Sequence, residues 1–193
     1  MSNIKEAIKI LKSGGIVIFP TDTAIGIGCR IDHESAVKRL FRIRKRSESK
    51  PLLALVNSVE MARKYWETIP QDVTELIKKY WPGPLTLVLH SAKEKVPGIV
   101  TSGTNNLGIR QPDNELVLKL IKGVGVPIVA PSANFAGEKT PFKFEDLDPK
   151  LINLADYILN NEVSSAKNVS TVIDCSKKPW KVLRQGVIRI SNF

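Results

Sequence analysis

Apolar residues recur at helical spacing at Ile4, Ala7, Ile8 and Leu11, and Ser13-Gly14-Gly15 closes that segment. Ile16-Val17-Ile18-Phe19 follows as a short buried strand, stopped by Pro20. Asp32 is the expected N-cap of a second helix that buries Ala36, Val37, Leu40 and Phe41. Leu52 to Val56 predicts another buried strand, and Ser58 caps a helix running towards Trp66. Pro70 opens a helix with Val73, Leu76, Ile77 and Tyr80 on one side. Trp81-Pro82-Gly83-Pro84 ends it abruptly, and Leu85 to Leu89 resumes a strand. Further strands are expected at Leu107–Arg110, Pro127–Ala130, Asp156–Leu159, Ser170–Asp174 and Lys181–Arg184. Asp113 is placed as the cap of a helix carrying Leu116, Val117, Leu120 and Ile121, and helical spacing is weak between Glu145 and Ala155.

Helices and strands alternate, yet several strands follow one another with no room for a crossover helix. An α/β fold with a mixed parallel/antiparallel sheet and helices packed on it is therefore expected, rather than a purely parallel sheet. A chain of 193 residues fits a single domain, read here as residues 1–193 with no further C-terminal domain. With 42% hydrophobic and 25% charged residues it can bury a core. No apolar run approaches the ~20 residues of a membrane helix, and residues 1–6 lack the apolar block of a signal peptide. Cys29 and Cys175 are far apart and match no metal spacing, which makes reduced cytoplasmic thiols the default and disfavours a zinc site. The formal net charge of +10 is the one global anomaly; it favours anionic partners or marks a generally basic surface.

The charge concentrates in Arg42-Ile43-Arg44-Lys45-Arg46-Ser47-Glu48-Ser49-Lys50-Pro51, with five cations in the first nine positions. That stretch fits a polyanion-binding wall, and equally a helix C-terminus whose cations complement the dipole before a turn. Knots of hydroxyl and amide groups stand beside short apolar strands at Thr21-Asp22-Thr23, at residues 101–106, at Ser132 and Asn134, and at Ser170-Thr171. One such knot is an ordinary turn. Four of them, with Arg46, Lys50, Arg110 and Arg184 at similar strand ends, suggest one polar pocket collected from several loops. The sequence holds no Ser/His/Asp or Cys/His arrangement, no GxxxxGK[ST] loop and no GxGxxG fingerprint. A pocket rich in cations and hydroxyls without an evident nucleophile suits chemistry run by positioning and charge stabilisation, such as nucleotidyl transfer.

These stretches together resemble the YrdC/TsaC family of threonylcarbamoyl-AMP synthases. The resemblance rests on Gly14-Gly15 through Pro20-Thr21-Asp22-Thr23 with Gly26 and Gly28, Arg46 to Leu52, and Trp81 to Thr86. It continues through Ile109-Arg110-Gln111-Pro112, Val126 to Asn134, Ser170 to Asp174, and Leu183 to Gly186. It implies a twisted open sheet around a concave basic cleft. The implied substrates are ATP with magnesium, L-threonine and bicarbonate or carbon dioxide; the products are threonylcarbamoyl-AMP and pyrophosphate. By motif position, Thr23, Arg110, Ala130 and Ser170 would hold threonine. Arg44, Arg46, Lys50, Asn106, Ser132, Asn134, Thr140 and Arg184 would hold the nucleotide, with Arg46, Lys50 and Arg110 catalytic. The tRNA threonylcarbamoyl-transferase machinery is the implied downstream partner, with tRNA or double-stranded RNA as a further candidate and no membrane.

The chain departs from the family pattern at Arg44, where members commonly carry lysine, at Ile25 for an aromatic, at Leu55 for a histidine of some members, and at Val169 for an acid. Two other classes stay open from the sequence. One is an RNA-binding module, which the charge favours and the 6% aromatic content does not. The other is a hydrogenase-maturation-like paralogue using carbamoyl phosphate.

Overall fold

A computed structural model describes residues 3–160 and 168–190, so Met1 and Ser2 of the N-terminal reading lie outside the described residues. The helices and strands come in the order α1 (Ile4–Lys12), β1 (Val17–Phe19), β2 (Gly26–Arg30), α2 (Glu34–Ile43), β3 (Leu53–Leu55), α3 (Val59–Arg63), α4 (Gln71–Tyr80) and β4 (Leu85–His90). They continue with α5 (Gly98–Thr101), β5 (Asn106–Arg110), α6 (Glu115–Val124), β6 (Ile128–Val129), a 3-10 turn at Phe144–Asp146, α7 (Pro149–Ile152), β7 (Tyr157–Ile158), β8 (Thr171–Asp174) and β9 (Lys181–Arg184).

The strands form one nine-stranded sheet in the order β7-β1-β2-β6-β3-β5-β4-β8-β9. Pairs β1/β7, β3/β5 and β4/β8 are parallel, and the remaining neighbours are antiparallel. The expected mixed sheet is therefore the observed one. Side-chain alternation along each strand divides the apolar residues between its two faces. On one face Ile18, Ile27, Leu87 and Ile109 join Val37 and Leu40 of α2 in the larger core. On the other, Val17, Phe19 and Leu55 pack with Ala7 and Leu11 of α1 and with Val117, Leu120 and Ile121 of α6. Leu53, Thr86, Val88, Gly108 and Arg110 share that second face by the same alternation, and they line cavities there. The site thus lies where a helix-covered sheet face gives way to an open one.

Several local expectations change. Gly26 and Gly28, placed after the Thr21-Asp22-Thr23 knot in the motif, lie in β2, and Gly28 is glycine for a packing reason. A Cβ on Gly28 would sit 2.5 Å from the Val129 carbonyl oxygen. Asp32 does not cap α2. Its carboxylate is taken by the Arg30 guanidinium at 2.6 and 2.7 Å, and His33 occupies the cap position without a side-chain bond. Asn114, not Asp113, caps α6 through a 3.1 Å bond accepted from the Val117 amide. The weak pattern between residues 145 and 155 resolves into the 3-10 turn and the four-residue α7. The one-turn α5 had no apolar period long enough to register.

Candidate active site

Three strand ends and one turn build the main cavity. In the turn after β1, the Thr21 hydroxyl oxygen accepts from the amides of Thr23 and Ala24 at 3.1 and 3.2 Å. This knots the backbone as short hydroxyl side chains do at turns. The chain therefore presents Asp22 and Thr23 to the end of β5, where Arg110 donates from Nη1 to Asp22 Oδ1 at 2.6 Å and from Nη2 to Thr23 Oγ1 at 3.1 Å. The Arg110 and Asp22 side chains are only 7% and 11% exposed, so this is a buried ion pair. Asp22 Oδ2 is buried without a hydrogen-bond partner.

The opposite wall comes from β4, β8 and β9. Thr86 Oγ1 and Ser170 Oγ lie 2.9 Å apart. Arg184 donates from Nε to the Ser170 carbonyl at 3.0 Å and from Nη2 to Ser170 Oγ at 2.8 Å. Burial, and then the neighbouring charge of Arg110, hold the Arg184 guanidinium below its ordinary pKa. Gly26 bridges to Ser132, which brings Ala130, Pro131 and Ser132 to the third side. Leu53, Leu55 and Ile25 supply apolar surface.

The structure thus collects Thr23, Arg110, Ala130, Ser132, Ser170 and Arg184 around one cavity. Thr86 and Asp22 belong to the same constellation and were not assigned from sequence. A signal for Thr86 existed, since it interrupts the apolar strand Leu85–Leu89 with a hydroxyl that is 1% exposed. Asp22 was visible only as one member of a turn.

A second depression adjoins the first through Leu53 and contains Asn106, Gly108, Thr104 and Asp174. Asn106 Nδ2 donates to Ser176 Oγ at 3.4 Å, while its Oδ1 is buried with no bond. Gly108 leaves the floor open, and a Cβ there would meet Leu53 Cδ2 at 2.4 Å.

The basic stretch behaves differently residue by residue. Arg44 is buried. It donates from Nε to the Asn134 carbonyl at 3.1 Å and from Nη2 to Asn134 Oδ1 at 3.2 Å, and Nη1 has no partner. Its pKa is pushed down to about 10, first by burial and then by the charge of Arg46. Arg46 closes its own loop through the carbonyls of Lys50 and Pro51 at 3.3 and 3.1 Å, and Lys50 is exposed.

Asn134 is saturated. It accepts from Ser132 Oγ at 2.5 Å and donates to the carbonyls of Phe135 and Glu138 at 3.0 and 2.8 Å. It therefore fixes the loop that presents Ser132. Thr140 is not brought to the main cavity; it sits in a separate depression with Lys139, Phe142 and Asp146.

This arrangement can take an anionic ligand with a small apolar part. It offers two guanidinium groups, five hydroxyls and no nucleophile with an adjacent base. A family model, Sua5_yciO_yrdC, described as "Telomere recombination", matches residues 9–186. The chain is 36% identical over 190 residues to a threonylcarbamoyl-AMP synthase of Pyrococcus abyssi, covering 98% of this chain and 56% of that one. It therefore spans little more than half the length of that relative. It is 28% identical to the threonylcarbamoyl-AMP synthase of Vibrio campbellii, covering 96% of this chain and 100% of that protein. The solved structure of P. abyssi Sua5 complexed with L-threonine superposes with a TM-score of 0.91 at 35% identity, over 95% of this chain and 54% of the other.

Proposed function

The chain belongs to the Sua5/YciO/YrdC family, and from that premise we propose that it is a threonylcarbamoyl-AMP synthase. It condenses L-threonine, bicarbonate or carbon dioxide, and ATP into threonylcarbamoyl-AMP and pyrophosphate. The observation that supports this most directly is the convergence of Thr23, Arg110, Ser132, Ser170 and Arg184 on one cavity with no nucleophilic side chain activated beside them. Such a site works by holding reactants together and offsetting charge.

The threonine carboxylate is assigned to the remaining donors of Arg110, flanked by Thr23 and Ser170, with Ala130, Leu53 and Leu55 against the aliphatic part. Threonine binds as the zwitterion; its ammonium gives up a proton to solvent, and the resulting amine attacks the carbon of carbon dioxide. A carbamate forms and the nitrogen loses a proton. A carbamate oxygen then attacks the α-phosphorus of ATP, the bond to the bridging oxygen breaks, and pyrophosphate leaves with its electron pair. Arg184 is placed to offset the negative charge of the carbamate and the α-phosphate. The terminal edge of its guanidinium stays open, because Ser170 occupies the Nε side.

The adenosine end is assigned to the adjoining depression with Asn106, and the triphosphate to the side of Arg46 and Lys50. Arg44 and Asn134 support the nucleotide site from behind Ser132. Thr140 would reach the nucleotide only if the 135–143 loop moved. Magnesium is proposed to arrive with ATP and be held mainly by its phosphates, since the described residues contain no group of three or more His, Cys, Asp or Glu side chains suited to an ion. No helix among the described residues is long and apolar enough to cross a membrane. A cytoplasmic site is part of the same proposal. Delivery of the product to tRNA threonylcarbamoyl transfer is part of the same proposal.

Pyrophosphate release from the wild-type chain, with each substrate omitted in turn, tests the reading. Release that requires ATP, threonine and bicarbonate together is expected. Release independent of threonine, or dependent on carbamoyl phosphate instead, would overturn it.

A further inference from the structure

Asp22 is the one carboxylate bonded to the cationic lining of the main cavity among the described residues, and nothing above assigns it a role. Its Oδ1 takes Arg110 Nη1 at 2.6 Å, while Oδ2 is buried and makes no hydrogen bond. Orphaned buried acceptors are rare because they lose hydration and recover nothing. A carboxylate kept in that condition between Thr21 and Thr23 is therefore more than a turn residue. Arg110 and Arg184 both line this cavity. Two guanidinium groups sharing a half-buried cavity repel each other and attract dianions such as inorganic phosphate. With Asp22 in place, the cavity carries a single uncompensated positive charge and a fixed negative pole at the Arg110 end.

We propose that Asp22 is the positioning residue that makes this cavity select a zwitterionic α-amino acid over the corresponding simple carboxylate. It orients Arg110 so that the remaining guanidinium donors meet the carboxylate. Its charge, unscreened by solvent on the Oδ2 side, favours the ammonium group beside that carboxylate. Discrimination then comes as much from rejecting plain anions as from binding the amino acid. This inference rests on the proposed threonine site and deepens it.

The test is calorimetric titration of the full chain with L-threonine and with 3-hydroxybutyrate, which is threonine without its amine, for wild type, Asp22→Asn and Asp22→Glu. Wild type is expected to prefer threonine by at least about tenfold. Asp22→Asn keeps an acceptor for Arg110 and removes the charge. It is expected to erase most of that preference, weakening threonine and strengthening 3-hydroxybutyrate, and to raise the threonine KM about tenfold with kcat changed less than about threefold. Asp22→Glu keeps the charge and is expected to retain the preference within about threefold.

Equal losses for both ligands in Asp22→Asn, as a merely structural role predicts, would overturn the inference. So would an unchanged preference. If Asp22→Asn does not fold, loss of preference in Asp22→Glu overturns it. Failure of the wild type to bind threonine counts instead against the proposed function.

Discussion

Arg184 grips Ser170 at two points, its carbonyl at 3.0 Å and its hydroxyl at 2.8 Å, and so ties the exposed edge strand β9 to the start of β8. The same contact fixes which edge of the guanidinium faces the cavity. Arg184→Lys keeps the charge, but a single compact ammonium cannot bond Ser170 at both points and still present a separate donor edge to the cavity. The expected result is a fall in kcat of about 10–100-fold, because the lost interaction is with charge that develops as pyrophosphate leaves. Thermal stability should change little, since β9 is exposed along its length. Single-turnover pyrophosphate release checks the first point and a melting curve the second.

Arg110→Ala should raise the threonine requirement by about 10–100-fold while leaving the ATP KM within about threefold, as loss of a charge-assisted carboxylate contact predicts. It also strands the Asp22 carboxylate, so a loss of about 3–5 kcal/mol in urea unfolding is expected with it. Equal rises in both KM values would place Arg110 outside the threonine site.

Gly108→Ala separates the two depressions. The new methyl group meets the ends of side chains, Leu53 Cδ2 at 2.4 Å, Val88 Cγ2 at 3.3 Å and Thr86 Cγ2 at 3.5 Å, so folding should survive at a cost of about 1 kcal/mol. It narrows the floor beside Asn106, and the ATP KM should rise at least about fivefold with the threonine KM unchanged. Steady-state titration of each substrate decides the matter.

Much of this was legible beforehand because the apolar runs are short, uninterrupted and separated by Gly and Pro. Hence β3, β4, β5 and β8 were placed by pattern alone. β2 was not. Its sequence Gly-Ile-Gly-Cys-Arg carries two glycines that signal a turn, and the need for the second, Gly28, comes from the close approach of β6, a neighbour distant in sequence. The site divides in the same way. Arg110 and Arg184 stand at the ends of apolar runs and could be read. Asp22 could not, because its importance lies in a contact 88 residues away. Asn134 matched the motif and Arg44 departed from it, but what they do, holding the Ser132 loop from behind, depends on a pairing between α2 and a later loop.

Acid sensitivity should centre on Asp156. Its carboxylate takes Arg39 at 2.6 and 2.9 Å and the Ile16 amide at 2.7 Å, joining the approach to β7 with α2 and the start of β1. The Arg39 bond holds its pKa below the ordinary carboxylate value, so the folded state binds a proton less readily than the unfolded chain. The resulting stability is present above the unfolded value near 3.8 and lost as pH falls through the lower folded one. Asp156→Asn should flatten the part of the stability profile below about pH 4 and lower the melting temperature at pH 7. An unchanged slope of unfolding midpoint against pH would assign the acid transition elsewhere.

Arg44 decides whether the loop carrying Ser132 is held by shape or by charge. Its guanidinium spans the Asn134 carbonyl and side-chain oxygen together, and its own carbonyl accepts the Ala136 amide at 2.8 Å. A lysine, which the family resemblance implies at this position, delivers one compact ammonium and cannot reproduce that fork. Arg44→Lys is therefore expected to destabilise the chain by about 1–3 kcal/mol and to raise the ATP KM several-fold through a looser Ser132. Burial holds the folded pKa of this cation near 10, below its ordinary value. The unfolded chain binds more protons only between those values, so stability from this group rises with pH there and is level below it. The contribution of this group in the wild type should consequently be level from pH 6 to 9, a range chosen below the folded pKa. Chemical denaturation across that range checks this. A variant as stable as wild type, with an unchanged ATP KM, would remove Arg44 from the support of the nucleotide site.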